Sequence, residues 1–120
     1  MVDKNNKREY DERPWGTYEV LKREPGMWVK RIEVKPWQRL SLQRHLKRSE
    51  HWIVVAGQGV VTKGDEDITA PRGRSIDIRL GEKHRMSNRT DKPVVFIEVA
   101  FGDYLEEDDI ERLEDDYHRT

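Results

Sequence analysis

Two imidazoles, a carboxylate and an amide oxygen can be brought together from two stretches of this chain: Gln43, His45 and Glu50 from the first, His84 from the second. Nitrogen and oxygen donors of this kind hold a divalent metal. Gln43 and His45 are two residues apart, so on a strand they point the same way. Glu50 follows a short stretch that can turn, and a second strand can resume there. The donor set contains no sulfur, which leaves Zn²⁺, Mn²⁺, Co²⁺, Ni²⁺ and Fe²⁺ open.

The same parity sorts the neighbours. Arg39 and Ser41 share the face of Gln43 and His45, so Arg39 is expected in the same cavity. There a guanidinium is shaped for a phosphate or a developing negative charge, and a salt bridge is the alternative. Leu40 and Leu42 then face another sheet or a partner subunit. Near the end of the chain, Val95, Ile97 and Val99 form one face of a strand, and Phe96, Glu98 and Ala100 the other. An inward Glu98 is a charge in a cavity, costly without a partner or a function. It is therefore a candidate proton-transfer base. His51 is a second candidate, although parity turns it away from Glu50 and a structural role is equally open. Arg13, Lys30 and Arg85 are further cations that could hold an anion, and Lys47 could assist. Trp15 and Trp52 read as core.

The elements that must position these groups are short. Alternating runs over 17–22, 27–34, 39–45, 50–56, 60–63, 68–70, 75–78, 84–88 and 94–101 read as strands, separated by turn signals such as Pro25-Gly26 and Gly64-Asp65. Many short strands at this spacing imply an all-β sandwich or barrel. Ile110, Leu113 and Tyr117 stand at helical spacing behind acidic residues, which predicts a C-terminal helix over 106–117. Residues 1–11 are polar and read as a flexible tail, leaving 12–120 as one domain.

Composition narrows the classes. Hydrophobic content is 34% and charged content 39%, but the apolar residues cluster in the alternating runs and argue for a folded domain with a charged surface. The net charge of −1 supplies no basic field for nucleic acid. Absence of cysteine excludes disulfides, thiolate ligands and Cys nucleophiles. No apolar run approaches membrane-spanning length and the N-terminus has no signal core, so a soluble cytoplasmic protein without membrane or nucleic-acid partners is expected.

The spacing also resembles the two motifs of the cupin family. Gln43 takes the first His slot, His45 the second, Glu50 the Glu and Gly57 the closing Gly, while Gly73, Gly81, His84 and Asn88 stand in register for the second motif. Trp37 occupies the slot of an opening Gly and Arg79 that of a Pro; neither is a ligand slot. Arg13-Pro14-Trp15-Gly16-x-Tyr18, Arg39-Leu40-Ser41-Leu42-Gln43, Arg48-x-Glu50-His51-Trp52 and Gly102-Asp103-Tyr104-Leu105-x-Glu107-Asp108-Asp109-Ile110 look like type II phosphomannose isomerase. That domain often forms the C-terminal part of bifunctional enzymes that also carry a mannose-1-phosphate guanylyltransferase. The resemblance implies a cupin-type double-stranded β-helix, one divalent ion with Zn²⁺ favoured, and interconversion of mannose 6-phosphate and fructose 6-phosphate. On it, Gln43, His45, Glu50 and His84 would be the metal ligands. The base would be Glu98 or His51, and Arg39 the first phosphate contact, ahead of Arg13, Lys30 and Arg85. A homodimer is expected. The alternatives are a non-catalytic metal-binding cupin serving as a sugar-binding or dimerisation module, and an isomerase of another phosphosugar.

Overall fold

Alternation of buried and exposed side chains builds the larger of two sheets. The structure is a computed structural model that describes residues 9–117. Its strands are β1 (Glu9–Arg13), β2 (Gly16–Glu24), β3 (Met27–Val34), β4 (Leu42–Arg44), β5 (Ser49–Ala56), β6 (Gln58–Lys63), β7 (Glu66–Pro71), β8 (Ser75–Ile78), β9 (His84–Ser87), β10 (Val94–Phe101) and β11 (Glu111–Glu114). Six strands form one sheet in the order β1-β2-β3-β10-β5-β8, and five form the other in the order β11-β4-β9-β6-β7. Every strand pairing is antiparallel. This is the all-β arrangement expected from the spacing of the strands.

Residues directly opposite one another on paired strands share a face, so register lays the interior out in rows. Ile32, Phe96 and Val54 form an apolar row across β3, β10 and β5. The next row is Lys30, Glu98, Trp52 and Ile76, and the one after it Trp28, Ala100, Glu50 and Ile78. The core of Trp15, Ile32, Val34, Leu40, Trp52, Val54, Val61, Ile76, Met86, Val94 and Phe96 fills the apolar end. The polar rows lie toward the other end, where Lys30, Glu50 and Glu98 are all buried. One sheet thus carries an apolar floor and a charged pocket within three successive rows.

Three expectations need correction. No helix forms over 106–117; β11 runs there instead and pairs with β4. Its acidic residues meet cations on the neighbouring strands: Glu111 binds Arg44, Glu114 binds Arg85 and Arg39, and Asp116 binds Arg39. An isolated helix this short is marginal in water, so these pairings and the strand edge prevail. The tail expected over 1–11 is also too long. Glu9, Tyr10 and Asp11 belong to β1 and pair with β2, while residues 1–8 lie outside the described ones. Finally, β4 spans Leu42–Arg44 only, and Arg39 reaches the sheet through a single bridge to Ser87. Regular alternation does not extend from Gln43 back to Arg39, while Leu40 packs into the core, the first of the two alternatives for it. Among the described residues no helix is long and apolar enough to cross a membrane.

The two departures from the cupin pattern are accommodated locally. Trp37 has φ 63°, in the left-handed region where Gly is the usual occupant. Arg79, in a Pro slot, uses the backbone N–H that Pro lacks to donate to Glu82 Oε1 at 3.1 Å.

Candidate metal centre and its cleft

Glu50 is the pivot of the centre. It rises from β5 into the interior, and its carboxylate accepts from Trp52 Nε1 at 3.0 Å and from Arg48 Nε at 2.9 Å. Opposite it, the small sheet supplies the imidazoles. Gln43 on β4 pairs directly with His84 on β9, which puts both on one face. His45 follows at the end of β4. His45 Nε2 lies 3.3 Å from Glu50 Oε2, and His84 Nε2 3.6 Å from Glu50 Oε1. One ligand atom from each of His45, Glu50 and His84 falls within 4.8 Å of the others, and all three residues are buried.

The other ring nitrogens decide how these imidazoles present themselves. His45 Nδ1 donates to the Asp109 carbonyl at 2.6 Å, and His84 Nδ1 to the Glu82 carbonyl at 2.8 Å. A carbonyl can only accept, so each Nδ1 carries the proton and each Nε2 turns a lone pair toward Glu50. This is the orientation of metal-binding histidines. Burial, and then the Arg48 charge, pushes the His45 pKa down to about 4; burial lowers that of His84. Both rings are neutral at pH 7 and compete little for protons. Buried His84 Nε2 has no hydrogen-bond partner among the described residues, which is costly for a polar atom unless something binds there. The donor chemistry and this orphaned nitrogen fit a divalent metal. Gln43 lines the adjoining cleft and donates its amide to Ser41.

The cleft opens beside the cluster. Trp15, Tyr18, Lys30, Gln43, Arg48, Glu98 and Glu107 are among the residues that line it. Glu98 lies inward on β10, as parity predicted, and accepts from Trp28 Nε1 at 3.1 Å. Burial, and then the nearby Glu50 charge, raises its pKa to about 7. A carboxyl poised there can both take and return a proton near neutrality.

The remaining sequence candidates divide sharply. Arg13 and Lys30 line the cleft. Arg39 does not: it lies in a separate surface pocket with its guanidinium bound by Asp116 and Glu114. The salt-bridge alternative describes its position. His51 points to the outer face of β5, bound to exposed Asp77. Arg85 is buried but saturated, donating to the Leu40 carbonyl and to Glu114. Lys47 lies over the Tyr104 ring. Trp15 and Trp52 are core, as expected, and Trp52 also orients Glu50. Sequence reasoning overlooked Arg48, whose guanidinium reaches both Glu50 and His45 Nε2, the latter at 3.2 Å. The available signal was its place two residues before Glu50.

Residues 2–115 match the family model described as "Mannose-6-phosphate isomerase C-terminal". The chain is 50% identical over 108 residues to the xanthan biosynthesis protein XanB of Xanthomonas campestris pv. campestris, covering 90% of this chain and 23% of that one. It therefore spans less than a quarter of that relative's length. Among solved structures, the capsular polysaccharide assembling protein CapF of Staphylococcus aureus superposes with a TM-score of 0.78 at 22% identity, covering 90% of this chain and 32% of the other. A sugar phosphate isomerase of the cupin superfamily from Silicibacter pomeroyi gives 0.62 at 22% identity, covering 70% and 59%. At such identities the structural likeness establishes the fold, a cupin-type double-stranded β-helix. With most of its length matched to one model and half of its aligned residues shared with XanB, the chain belongs to the mannose-6-phosphate isomerase C-terminal family.

Proposed function

We propose that this domain is a metal-dependent aldose–ketose isomerase that interconverts mannose 6-phosphate and fructose 6-phosphate, feeding precursors of polysaccharide synthesis. The observation that carries this reading is one of placement. The buried Glu98 carboxyl and the buried Lys30 ammonium line one cleft, and the His45–Glu50–His84 cluster adjoins it through Arg48, which lines the cleft and contacts both Glu50 and His45. An isomerase of this kind needs a metal, a base and an anion-binding cation around a single small ligand.

His45, Glu50 and His84 would hold the ion, with Gln43 as a fourth ligand and Zn²⁺ as the favoured metal. A bound divalent ion supplies Lewis acidity toward the carbonyl and hydroxyl oxygens of the opened sugar. Glu98 takes the proton from C2 of the opened mannose 6-phosphate and returns it to C1, while the proton of the O2 hydroxyl passes to O1, so the ketose forms with no net gain or loss of protons. Trp28 Nε1 fixes the carboxyl by donating to its Oε2. Lys30, Arg13 and Arg48 supply the positive charge for the phosphate.

The test is a coupled assay of mannose 6-phosphate turnover on the Zn²⁺-loaded chain. Turnover that vanishes on chelation and returns with metal supports the reading. Metal uptake and sugar binding without turnover would establish the non-catalytic cupin instead, and turnover of a different phosphosugar would move the substrate.

A further inference from the structure

Lys30 is an unusual lysine. Its residue is 6% exposed, and its Nζ lies 4.1 Å from the centroid of the Trp28 ring and 4.9 Å from that of Tyr18. The two rings fix the stem and favour the charge through their π faces. They do not replace the hydrogen bonds that an ammonium loses on leaving water. Glu98, opposite Lys30 in the pairing of β3 with β10, accepts from Trp28 Nε1 instead. Among the described residues, the hydrogen bond of Lys30 goes to Glu107 Oε1, at 2.6 Å.

Glu107 is unlike its partner. Its side chain is 57% exposed, against 7% for that of Lys30. It sits in the segment between β10 and β11, whose backbone is held on both sides. Arg48 Nη1 donates to the Glu106 carbonyl, and the Asp109 carboxylate accepts from the N–H groups of Leu46 and Lys47. The Glu107 carboxylate, 57% exposed, can rehydrate when it leaves, whereas buried Lys30 cannot follow it and needs another anion in its place.

We propose that Lys30 is the seat for the anionic group of the ligand, and that Glu107 is a built-in competitor which fills the seat until a phosphate displaces it. This rests on the reading of the cleft as a sugar-phosphate site. A phosphate presents three acceptors and more charge than one carboxylate. Arg48 and Arg13 line the same cleft and reinforce it. A neutral sugar has nothing to displace Glu107 with. The pair thereby selects phosphorylated ligands and keeps the buried ammonium satisfied between turnovers.

Calorimetric titration of the full chain with inorganic phosphate, mannose 6-phosphate and mannose tests this. Glu107→Gln should bind both phosphate compounds about fivefold more tightly than wild type, the loss of a competing contact of about 1 kcal/mol. Lys30→Gln should bind them about tenfold more weakly. Mannose should be indifferent to both changes. Glu107 is exposed, so its variant should keep the melting temperature of wild type and remain informative even where Lys30→Gln unfolds. Phosphate binding that is unchanged or weaker in Glu107→Gln overturns the proposal and makes Glu107 a positioning residue for Lys30. The isomerase reading fails separately: no turnover, with Glu107→Gln still tightening phosphate, removes the reaction and keeps the seat.

Discussion

Two clusters of charged residues flank β4, and they behave in opposite ways. In the interior beside the cleft, His84 Nε2 is buried without a hydrogen-bond partner among the described residues, Glu98 is held near neutrality, and the carboxyls of Glu50 and Glu98 are both buried. Along the edge where β11 joins, each charge is answered: Arg44 by Glu111, Arg85 by Glu114, and Arg39 by Asp116 and Glu114. Residue types are similar in both places. The difference is saturation. Paired charges, solvent-washed at Arg39 and Arg44 and buried at Arg85, hold a strand edge, whereas incompletely answered groups in a low-dielectric interior are open to a ligand.

The contrast is broken most directly at Glu50. Glu50→Ala removes the carboxylate shared by both imidazoles, and Zn²⁺ affinity in a chelator-competition titration should fall by about 100-fold or more. Retention of wild-type affinity would mean that the ligand set is wrong. Glu98→Gln keeps the shape and removes the exchangeable proton. It should lower kcat by about 100-fold while leaving Zn²⁺ content unchanged, and comparable loss of metal would reassign Glu98 to the ligand set.

The pH dependence of stability sharpens the same contrast. His45 has a folded pKa of about 4 against an ordinary 6.5, so the unfolded chain binds more protons between those values and stability is lost as pH falls through that window. Glu98 has a folded pKa of about 7 against 4.5, so the folded chain binds more protons there and stability is gained as pH falls. The two slopes oppose. Removing the second with Glu98→Gln should make the melting temperature of the metal-free protein drop more steeply than wild type from pH 7 to pH 4.5. Parallel profiles would show that Glu98 ionises normally.

Smaller effects belong to the β11 edge. Arg85→Ala leaves the Leu40 carbonyl and Glu114 without their donor and should cost about 2 kcal/mol in denaturant unfolding. Arg39→Ala cuts only exposed pairs and should cost less than about 1 kcal/mol. In the isomerase assay its kcat/KM should stay within about twofold of wild type. A tenfold fall without loss of stability would return Arg39 to the reaction.

Much of this was legible before any fold was known. Met27–Val34, Ser75–Ile78 and Val94–Phe101 form strands with the expected limits, because uninterrupted alternation of β-branched and aromatic residues has one easy solution. The inward turn of Glu98 followed from the same periodicity. So did the separation of His51 from Glu50.

Parity failed where a regular strand does not continue. Carried through Leu40 and Ser41, it put Arg39 in the cavity, whereas Arg39 lies in a surface pocket. The C-terminal segment failed for a related reason. The spacing of Ile110, Leu113 and Tyr117 is compatible with a helix, and only the cations waiting on β4 and β9 and in the Arg39 segment draw the acidic residues into an extended edge. The sequence by itself determined the donor types, the strand periods and the family. Tertiary structure alone decided which charges find partners, since saturation depends on residues far apart in the chain. Lys30 and Glu107, Arg85 and Glu114, and His84 with its unanswered nitrogen are distinguished by nothing in their local sequence, only by what folding places beside them.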